Sequence, residues 1–387
     1  MPILDFTFYN PTRIFFGSGA ISRALKLVPS GDRVMVVYGT SSAEKYGVLQ
    51  EVREALQGHE IIEFGGIEPN PEYEKLREGW KLVRERRVDF LVAIGGGSVI
   101  DATKFIAAAA VYPQDPWSIV MDGGKSIAGA IPLGAVVTLP ASGSESNNRA
   151  VISRKSLNIK RAFMNDHLFP RFAALDPTKT FPLPPRYTAN GVVDTFVHIL
   201  EQYLTYPVEA EVQDRLAEGL LLVLLRLGPQ VLKEPNSYNL RANLMWCATL
   251  GLNGLLGAGV PQDWAAHRAG YEFTVLYGLD HAQTLAILIP AMMDVRRSVK
   301  REKLLQYGER IFGIRQGSDN YRIDQAILKT KEFFEEMGVP TRIKDYGIEN
   351  FDIDLILTRM EEHGLFPLGE RADITREVME EILKRCR

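Results

Sequence analysis

The chain has 387 residues, 46% of them hydrophobic and 24% charged, so it can bury a large core, and its length suggests two or three domains. The net charge of −3 is mixed along the sequence: no basic patch argues for nucleic acid and no acidic tail for a solvating segment, which leaves small molecules as the expected partners. Two distant cysteines, Cys247 and Cys386, make no disulfide framework, the N-terminus does not read as a signal peptide, and no window approaches the ~20 uninterrupted apolar residues of a membrane span, so a cytoplasmic protein off the membrane is expected.

In chain order, Arg33 to Tyr38 is a buried-strand run, Glu44 to Leu56 a helix, and Glu60 to Phe64 a second short strand. Glu72 to Arg87 is a charged amphipathic helix, Asp89 to Ile94 a third strand, Val99 to Ala110 a helix and Leu133 to Thr138 a fourth strand. Strands alternating with helices imply βαβ units and a mainly parallel sheet, so this half is α/β. Pro177, Pro182, Pro184 and Pro185 then cluster, and because proline lacks the N–H that helices and central strands need, the domain boundary is placed there: 1–180 and 181–387. Beyond it the pattern is helical: Arg186 to Leu204, Glu209 to Gly228, Leu240 to Leu256, Gln262 to Leu276, His281 to Val299, Lys300 to Phe312, Arg322 to Met337, and a last helix ending near Cys386.

The third strand runs directly into Gly95, Gly96, Gly97 and Ser98 before a helix. In an open α/β sheet this is where phosphates bind, because glycines let the backbone approach and the helix N-terminus offers unpaired N–H groups. Asp101, in the first turn of that helix, is taken with the loop as a cofactor contact, but the same residues also fit a tight turn with Ser98 as helix cap, Asp101 as its capping-box acid, and Asp101 with Lys104 as an i,i+3 pair. The G-x-G-x-x-G of the common dinucleotide fold is absent. A second loop, Gly39-Thr40-Ser41-Ser42, ends the first strand where an adenosine ribose would lie. With no acid before Glu44 and three hydroxyls at hand, it favours NADP(H) over NAD(H), although a polar loop opening a helix would look the same. A third loop, Thr138 to Asn147 with Ser142 inside it, is dense in small hydroxyl residues.

In the helical half, Asp194 and His198 stand four apart and so share a helix face; His267 and His281 follow. Carboxylate plus imidazoles is how proteins hold Zn²⁺ or Fe²⁺. A solvated i,i+4 polar pair is the commoner meaning of D-x-x-x-H, but Val192, Val193, Phe196, Val197, Ile199 and Leu200 make these flanks apolar, and buried ionisable groups need partners. Trp264 and Phe196 either wall a pocket there or belong to the core.

Together these residues resemble the iron-dependent (group III) alcohol dehydrogenases. The similar stretches include Asn10-Pro-Thr-Arg-Ile-Phe-Phe-Gly17, Gly95-Gly-Gly-Ser98-Val-Ile-Asp101-Ala-Thr-Lys104, Leu175-Asp-Pro177, Asn190-Gly-Val-Val-Asp194-Thr-Phe-Val-His198 and Gly278-Leu-Asp-His281-Ala. Gly65-Gly-Ile-Glu-Pro-Asn-Pro71, Leu139 to Asn147 and Gly257 to Trp264 look like the branch of butanol dehydrogenases and broad-substrate NADPH-dependent aldehyde reductases. The resemblance implies a dehydroquinate synthase-like architecture: an α/β dinucleotide-binding domain, then an all-α metal-binding and substrate domain, with the active site in the cleft between them and a homodimeric assembly. It implies that Asp194, His198, His267 and His281 bind one divalent metal, Fe²⁺ or Zn²⁺. It implies that Gly96, Gly97, Ser98, Thr138 and Lys160 contact the dinucleotide, and that Gly39, in place of an acid, marks NADP(H) preference. Where many relatives carry a further histidine one turn after the third ligand, this chain has Tyr271, so that histidine relay is not expected; the proton is expected from water or from Tyr271, which also fits a packed aromatic.

The expected reaction is hydride transfer between NADP(H) and a short- or medium-chain aldehyde or primary alcohol. A dehydroquinate synthase-like lyase and a non-catalytic nucleotide- or metal-binding relative are the alternatives. The first would need a cluster of Lys and Arg near the ligands, where only Arg268 stands.

Overall fold

The computed structural model describes residues 1–387, in two compact units. The first comprises Tyr9–Pro184 and Pro235–Thr249, and the second Met1–Phe8, Pro185–Glu234 and Leu250–Arg387.

The first unit is built on six parallel strands in the order β1-β8-β5-β4-β2-β3: β1 (Arg13–Phe16), β2 (Arg33–Tyr38), β3 (Glu60–Phe64), β4 (Phe90–Gly95), β5 (Leu133–Val137) and β8 (Phe172–Leu175). A two-stranded antiparallel ribbon, β6 (Arg149–Arg154) with β7 (Ile159–Met164), precedes β8. Helices α1 (Ala20–Leu25), α2 (Ser42–Lys45), α3 (Val48–Ala55), α4 (Tyr73–Arg86), α5 (Gly97–Val111) and α6 (Trp117–Met121) complete it. The near-continuous apolar runs of β2 and β4 follow from burial on both faces: Val34, Val36, Val92 and Ile94 enter one core layer, Met35, Val37, Leu91 and Ala93 the other.

Three features depart from the expected pattern. The helix expected over 44–56 is two, broken at Gly47, whose φ of 74° no α-helix accommodates. Strands β1 and β8 were not expected; each has four residues, too short for an alternation to register. Nor was the β6/β7 ribbon, whose mixed polar residues reflect a half-buried surface ribbon. Pro235–Thr249, which a single cut at the proline cluster would place in the helical half, is counted with the α/β unit. Met245 lies in its core, Trp246 meets the Phe16 ring edge-on (centroids 6.0 Å apart), and the Thr249 hydroxyl donates to Glu145 Oε1 (2.6 Å).

The second unit is helical: α7 (Pro185–Tyr203), α8 (Glu211–Lys233), the end of α9 (Tyr238–Leu252), α10 (Ala265–Tyr277), α11 (His281–Val295), α12 (Arg301–Phe312), α13 (Asp319–Glu336), α14 (Ile353–Glu362) and α15 (Arg376–Arg385). Helix α8 runs past Pro229, the expected stop, to Lys233, with Val231 fully buried in its last turn. Helix α14 was not expected; Asp352 caps it by accepting from Leu355 N–H (2.9 Å), and Ile356, Leu357 and Met360 are its only buried apolar residues. No helix is long and apolar enough to cross a membrane.

Candidate metal centre and phosphate loops

The metal-ligand candidates come from three helices of the second unit. Asp194 and His198 sit in the middle of α7 and are buried, 6% and 5% exposed; His267 is in the first turn of α10 and His281 opens α11. The register of α11 against α7 is set by Asp280, whose Oδ2 accepts from Arg186 Nε (2.8 Å) and Asn190 Nδ2 (2.7 Å) and whose N–H donates to Gln283 Oε1 (2.9 Å). The approach of α10 to α11 depends on Gly270: a Cβ there would stand 2.5 Å from Thr284 Oγ1, so only glycine lets the two helices come this near.

Asp194, His267 and His281 each bring a donor atom within 4.8 Å of the others, and Asp194 Oδ1 is 3.8 Å from His281 Nε2. His198, the fourth expected ligand, lies beside this trio. Its Nδ1 is 3.6 Å from Asp194 Oδ1 and its ring centroid 4.6 Å from that of His267. One carboxylate and three imidazoles on helices, all buried except the partly exposed His281, fit a divalent first-row metal by donor type and number.

The surroundings decide one open alternative and correct one expectation. Phe196 is no pocket wall: it is fully buried against Phe333 and Phe334, with centroids 5.0 and 5.7 Å away. Trp264 is not part of a helix; it precedes α10 in the left-handed region (φ 61°), with its ring 5.2 Å from that of His267 and 6.1 Å from that of His198. A bulky residue in that conformation is a genuine outlier. Here its ring meets that of His267 edge-on (77° between planes) and that of His198 at a tilt (59°), and its indole N–H donates to Gln262 Oε1 (2.9 Å). Tyr271, one turn after His267, has its ring centroid 6.0 Å from that of His281. Sequence reasoning gave Glu201 no role. It is 3% exposed, its Oε1 accepts from Ala266 N–H (2.8 Å), and its Oε2 is hydrogen-bonded to His267 Nδ1.

In the α/β unit the strand order reverses between β2 and β4, since β3 lies on one side of β2 and β4 on the other. Ligands of open α/β sheets bind beyond the carboxyl ends of strands at such a switch point. There stand Gly39 after β2, and Gly95 and Gly96 at the end of β4, where Gly96 caps α5 in an extended conformation. Thr138 follows β5 and its N–H donates to Gly95 O (3.0 Å). The hydroxyl loop presses on the glycine loop: a Cβ on Gly97 would meet Ser142 Oγ at 2.4 Å. Ser41 and Ser42 are exposed beside Gly39.

The capping alternative for this loop does not describe the fold. Ser98 is not the cap of α5; its hydroxyl accepts from Asn70 N–H (3.3 Å), and Asn70 Oδ1 accepts from Lys160 Nζ (2.7 Å). Asp101, expected as a cofactor contact, is turned instead to the protein, because Oδ1 accepts from the Ser144 hydroxyl (2.6 Å) and Oδ2 from Val151 N–H (2.9 Å). Lys104, its expected ion-pair partner, donates to Ser144 Oγ (2.9 Å), Asn147 Oδ1 (3.0 Å) and Arg149 O (2.7 Å). Asp101 and Lys104 thus brace the hydroxyl loop from inside. Asn70, also missed, holds φ 57° between Pro69 and Pro71, a proline-flanked turn that sequence could have flagged.

Residues 11–177 match the model of the iron-containing alcohol dehydrogenases, and residues 188–386 match that of the C-terminal part of the same family. The chain belongs to the iron-containing alcohol dehydrogenase family. This family member is 56% identical over 385 residues to the NADPH-dependent aldehyde reductase YqhD of Escherichia coli, a match covering 99% of the chain and 100% of the relative. It is 38% identical over 360 residues to NADH-dependent butanol dehydrogenase B of Clostridium acetobutylicum, covering 92% of each. Among solved structures, that of E. coli K-12 YqhD superposes with a TM-score of 0.99 over 100% of both chains. That of NADH-dependent butanol dehydrogenase A from Thermotoga maritima, 32% identical, superposes with a TM-score of 0.94 over 100% of this chain and 99% of that one.

Proposed function

We propose that this protein is a metal-dependent NADP(H) alcohol dehydrogenase or aldehyde reductase that moves hydride between the nicotinamide and a short- or medium-chain aldehyde or primary alcohol. The family, and the 56% identity to an NADPH-dependent aldehyde reductase, support the activity class, the use of NADP(H) and the need for a divalent metal. Within the chain, the observation that carries the reading is the convergence of Asp194, His267 and His281 from three helices.

When bound, a divalent ion, Fe²⁺ or Zn²⁺, supplies Lewis-acid polarisation of a carbonyl and NADPH supplies the hydride. Asp194, His198, His267 and His281 hold the ion. The backbone of Gly95, Gly96 and Gly97, the N-terminus of α5, Ser98, Thr138, Ser142 and Lys160 hold the dinucleotide, in line with a phosphate on unpaired helix N–H groups. Gly39, Ser41 and Ser42 accept the 2′-phosphate, because that strand end carries hydroxyls and no acid. Relatives of both cofactor types match the chain, so the preference rests on this loop and on the nearer relative. The proton that completes the alcohol comes from water or from the Tyr271 hydroxyl.

The test is NADPH oxidation with butanal on metal-stripped protein, repeated after Zn²⁺ or Fe²⁺ is restored, with NADH in parallel. Turnover that returns with metal and runs faster with NADPH is the expected result. Binding of both metal and NADPH with no turnover of any aldehyde would sink it.

Two accompanying readings are separate. A homodimer accounts for the apolar side chains exposed near the N-terminus, Phe6 (53%), Phe8 (49%) and Tyr9 (58%), and a sedimentation mass of two chains is expected. A cytoplasmic location suits two buried, unpaired cysteines, Cys247 and Cys386.

A further inference from the structure

We propose that Glu201 is the positioning residue of the metal centre: it fixes the His267 ring with Nδ1 protonated and Nε2 turned to the ion, and so sets the tightness of metal binding. The inference rests on the metal-site reading above.

Glu201 lies on α7, seven residues after Asp194 and three after His198. It is nearly sealed from solvent, and both its oxygens are engaged: Oε1 accepts from the Ala266 N–H (2.8 Å) and Oε2 is hydrogen-bonded to His267 Nδ1. Ala266 and His267 are adjacent in the first turn of α10, so one carboxylate holds both the end of the helix and the orientation of its ligand. An imidazole that donates from Nδ1 has only Nε2 left for a metal, and a carboxylate on the far nitrogen raises the basicity of the ligating one.

The carboxylate is itself held in place. Its backbone carbonyl accepts from Asp263 N–H (2.9 Å), and Asp263 Oδ1 accepts from Ala265 N–H (3.1 Å). Asp263 Oδ2 in turn accepts from Lys300 Nζ, a buried ammonium that also donates to Glu370 Oε2 (3.1 Å) and Leu204 O (2.6 Å). Side chain, main chain and counter-charge therefore fix the Glu201–His267 pair from behind, which is what a ligand held in one orientation requires.

Glu201→Gln is the informative change. It keeps the shape but replaces one acceptor with an NH₂ that must face either the Ala266 N–H or the His267 Nδ1–H. The measurement is Zn²⁺ affinity by competition with a chelating dye, alongside the melting temperature of the metal-free protein. Expected is a 10- to 100-fold loss of affinity, with the metal-free melting temperature close to the parent's and a changed visible spectrum of the Co²⁺-loaded variant. Zn²⁺ affinity within twofold of the parent overturns the proposal.

Should Glu201→Gln fail to fold, ¹⁵N-histidine NMR of the unsubstituted Zn²⁺-loaded protein decides, with the His267 signal assigned by its loss in His267→Gln. A protonated Nδ1 and a metal-bound Nε2 support the proposal, and the opposite arrangement overturns it. A parent protein that binds no divalent metal fails the site reading itself, an outcome visible before any variant is made.

Discussion

The glycine loops of the α/β unit and the ligand cluster of the helical unit are built from opposite materials. At the ends of β2, β4 and β5 the absence of side chains is the device: Gly95, Gly96 and Gly97 leave main-chain N–H groups at the start of α5, and the hydroxyl loop closes against them to a distance that no Cβ would permit. In the helical unit the main chain is consumed in helices and the proposed metal site is made of four side chains, with Asp280, Gly270 and Glu201 around them. A backbone site fails when atoms are added, and a side-chain site fails when they are removed.

The largest effect is expected from removal. Asp194→Ala takes the only carboxylate from the candidate ligand set and leaves imidazoles alone, so metal content should fall below one-tenth of the parent's after dialysis, and kcat/KM for butanal by on the order of a thousandfold. NADPH affinity, measured by quenching or calorimetry, should stay within about threefold, because nothing in the α/β loops has changed. Addition should give the reverse pattern. Gly97→Ala sets a methyl 2.4 Å from Ser142 Oγ and 3.0 Å from its Cβ, and overpacking of that kind costs about 1–3 kcal/mol. Weaker NADPH binding by roughly tenfold, with metal content unchanged, is expected. Loss of metal from Gly97→Ala, or loss of NADPH binding from Asp194→Ala, would break the division between the two kinds of site.

Gly39→Asp sharpens the comparison, since this glycine is argued to be needed for charge and not for space. A Cβ there meets Ile67 O at 3.6 Å and Val99 Cγ2 at 3.8 Å, ordinary contacts, so the variant should fold with a melting temperature near the parent's. An aspartate at that strand end repels a 2′-phosphate and accepts from a free 2′-hydroxyl. The ratio of kcat/KM for NADPH to that for NADH should fall at least about a hundredfold, on the order of 3 kcal/mol of discrimination. An unchanged ratio would place the 2′-phosphate elsewhere.

The two sites were also unequally legible in the sequence. The strands leading into the glycine loops announce themselves by unbroken apolar runs, and the ligands by residue type: few buried positions tolerate an aspartate and three histidines without a shared purpose. What escaped is whatever is defined by a meeting of distant segments. Asp101, three residues after Ser98, had the spacing of a capping acid, but its partners Ser144 and Val151 lie 43 and 50 positions away. Glu201 looks in sequence like any glutamate at the end of a helix, and its partner, the candidate ligand His267, is 66 positions on. Phe196 fitted both a pocket wall and the core in sequence, and its contacts with Phe333 and Phe334 decide for the core. Strands β1 and β8 were invisible because four residues carry no period, although they pair in register with one another.

The last effect is on stability alone and concerns how the α/β unit keeps a buried charge without an ion. Lys104 is fully buried, and burial pushes its ammonium down to about 8 although Asp101 and Glu145 oppose the shift. Below that pH the folded and unfolded chains both carry the proton, and folding bears the whole cost of desolvating it. As pH rises from about 8 towards the ordinary lysine value, the folded state sheds its proton while the unfolded chain still holds one, so stability increases with pH over this window. The contribution amounts to on the order of 3 kcal/mol when complete. Lys104→Met removes it, together with the donors to Ser144, Asn147 and Arg149. Urea midpoints at pH 7 and pH 9.5 should therefore diverge between parent and variant, the parent gaining relative to Lys104→Met at the higher pH. Parallel pH curves would mean that the three hydrogen bonds already compensate the buried ammonium in full. The hydroxyl loop would then be braced at neutral pH without cost, and the contrast with a metal centre that needs its ion would be stronger still.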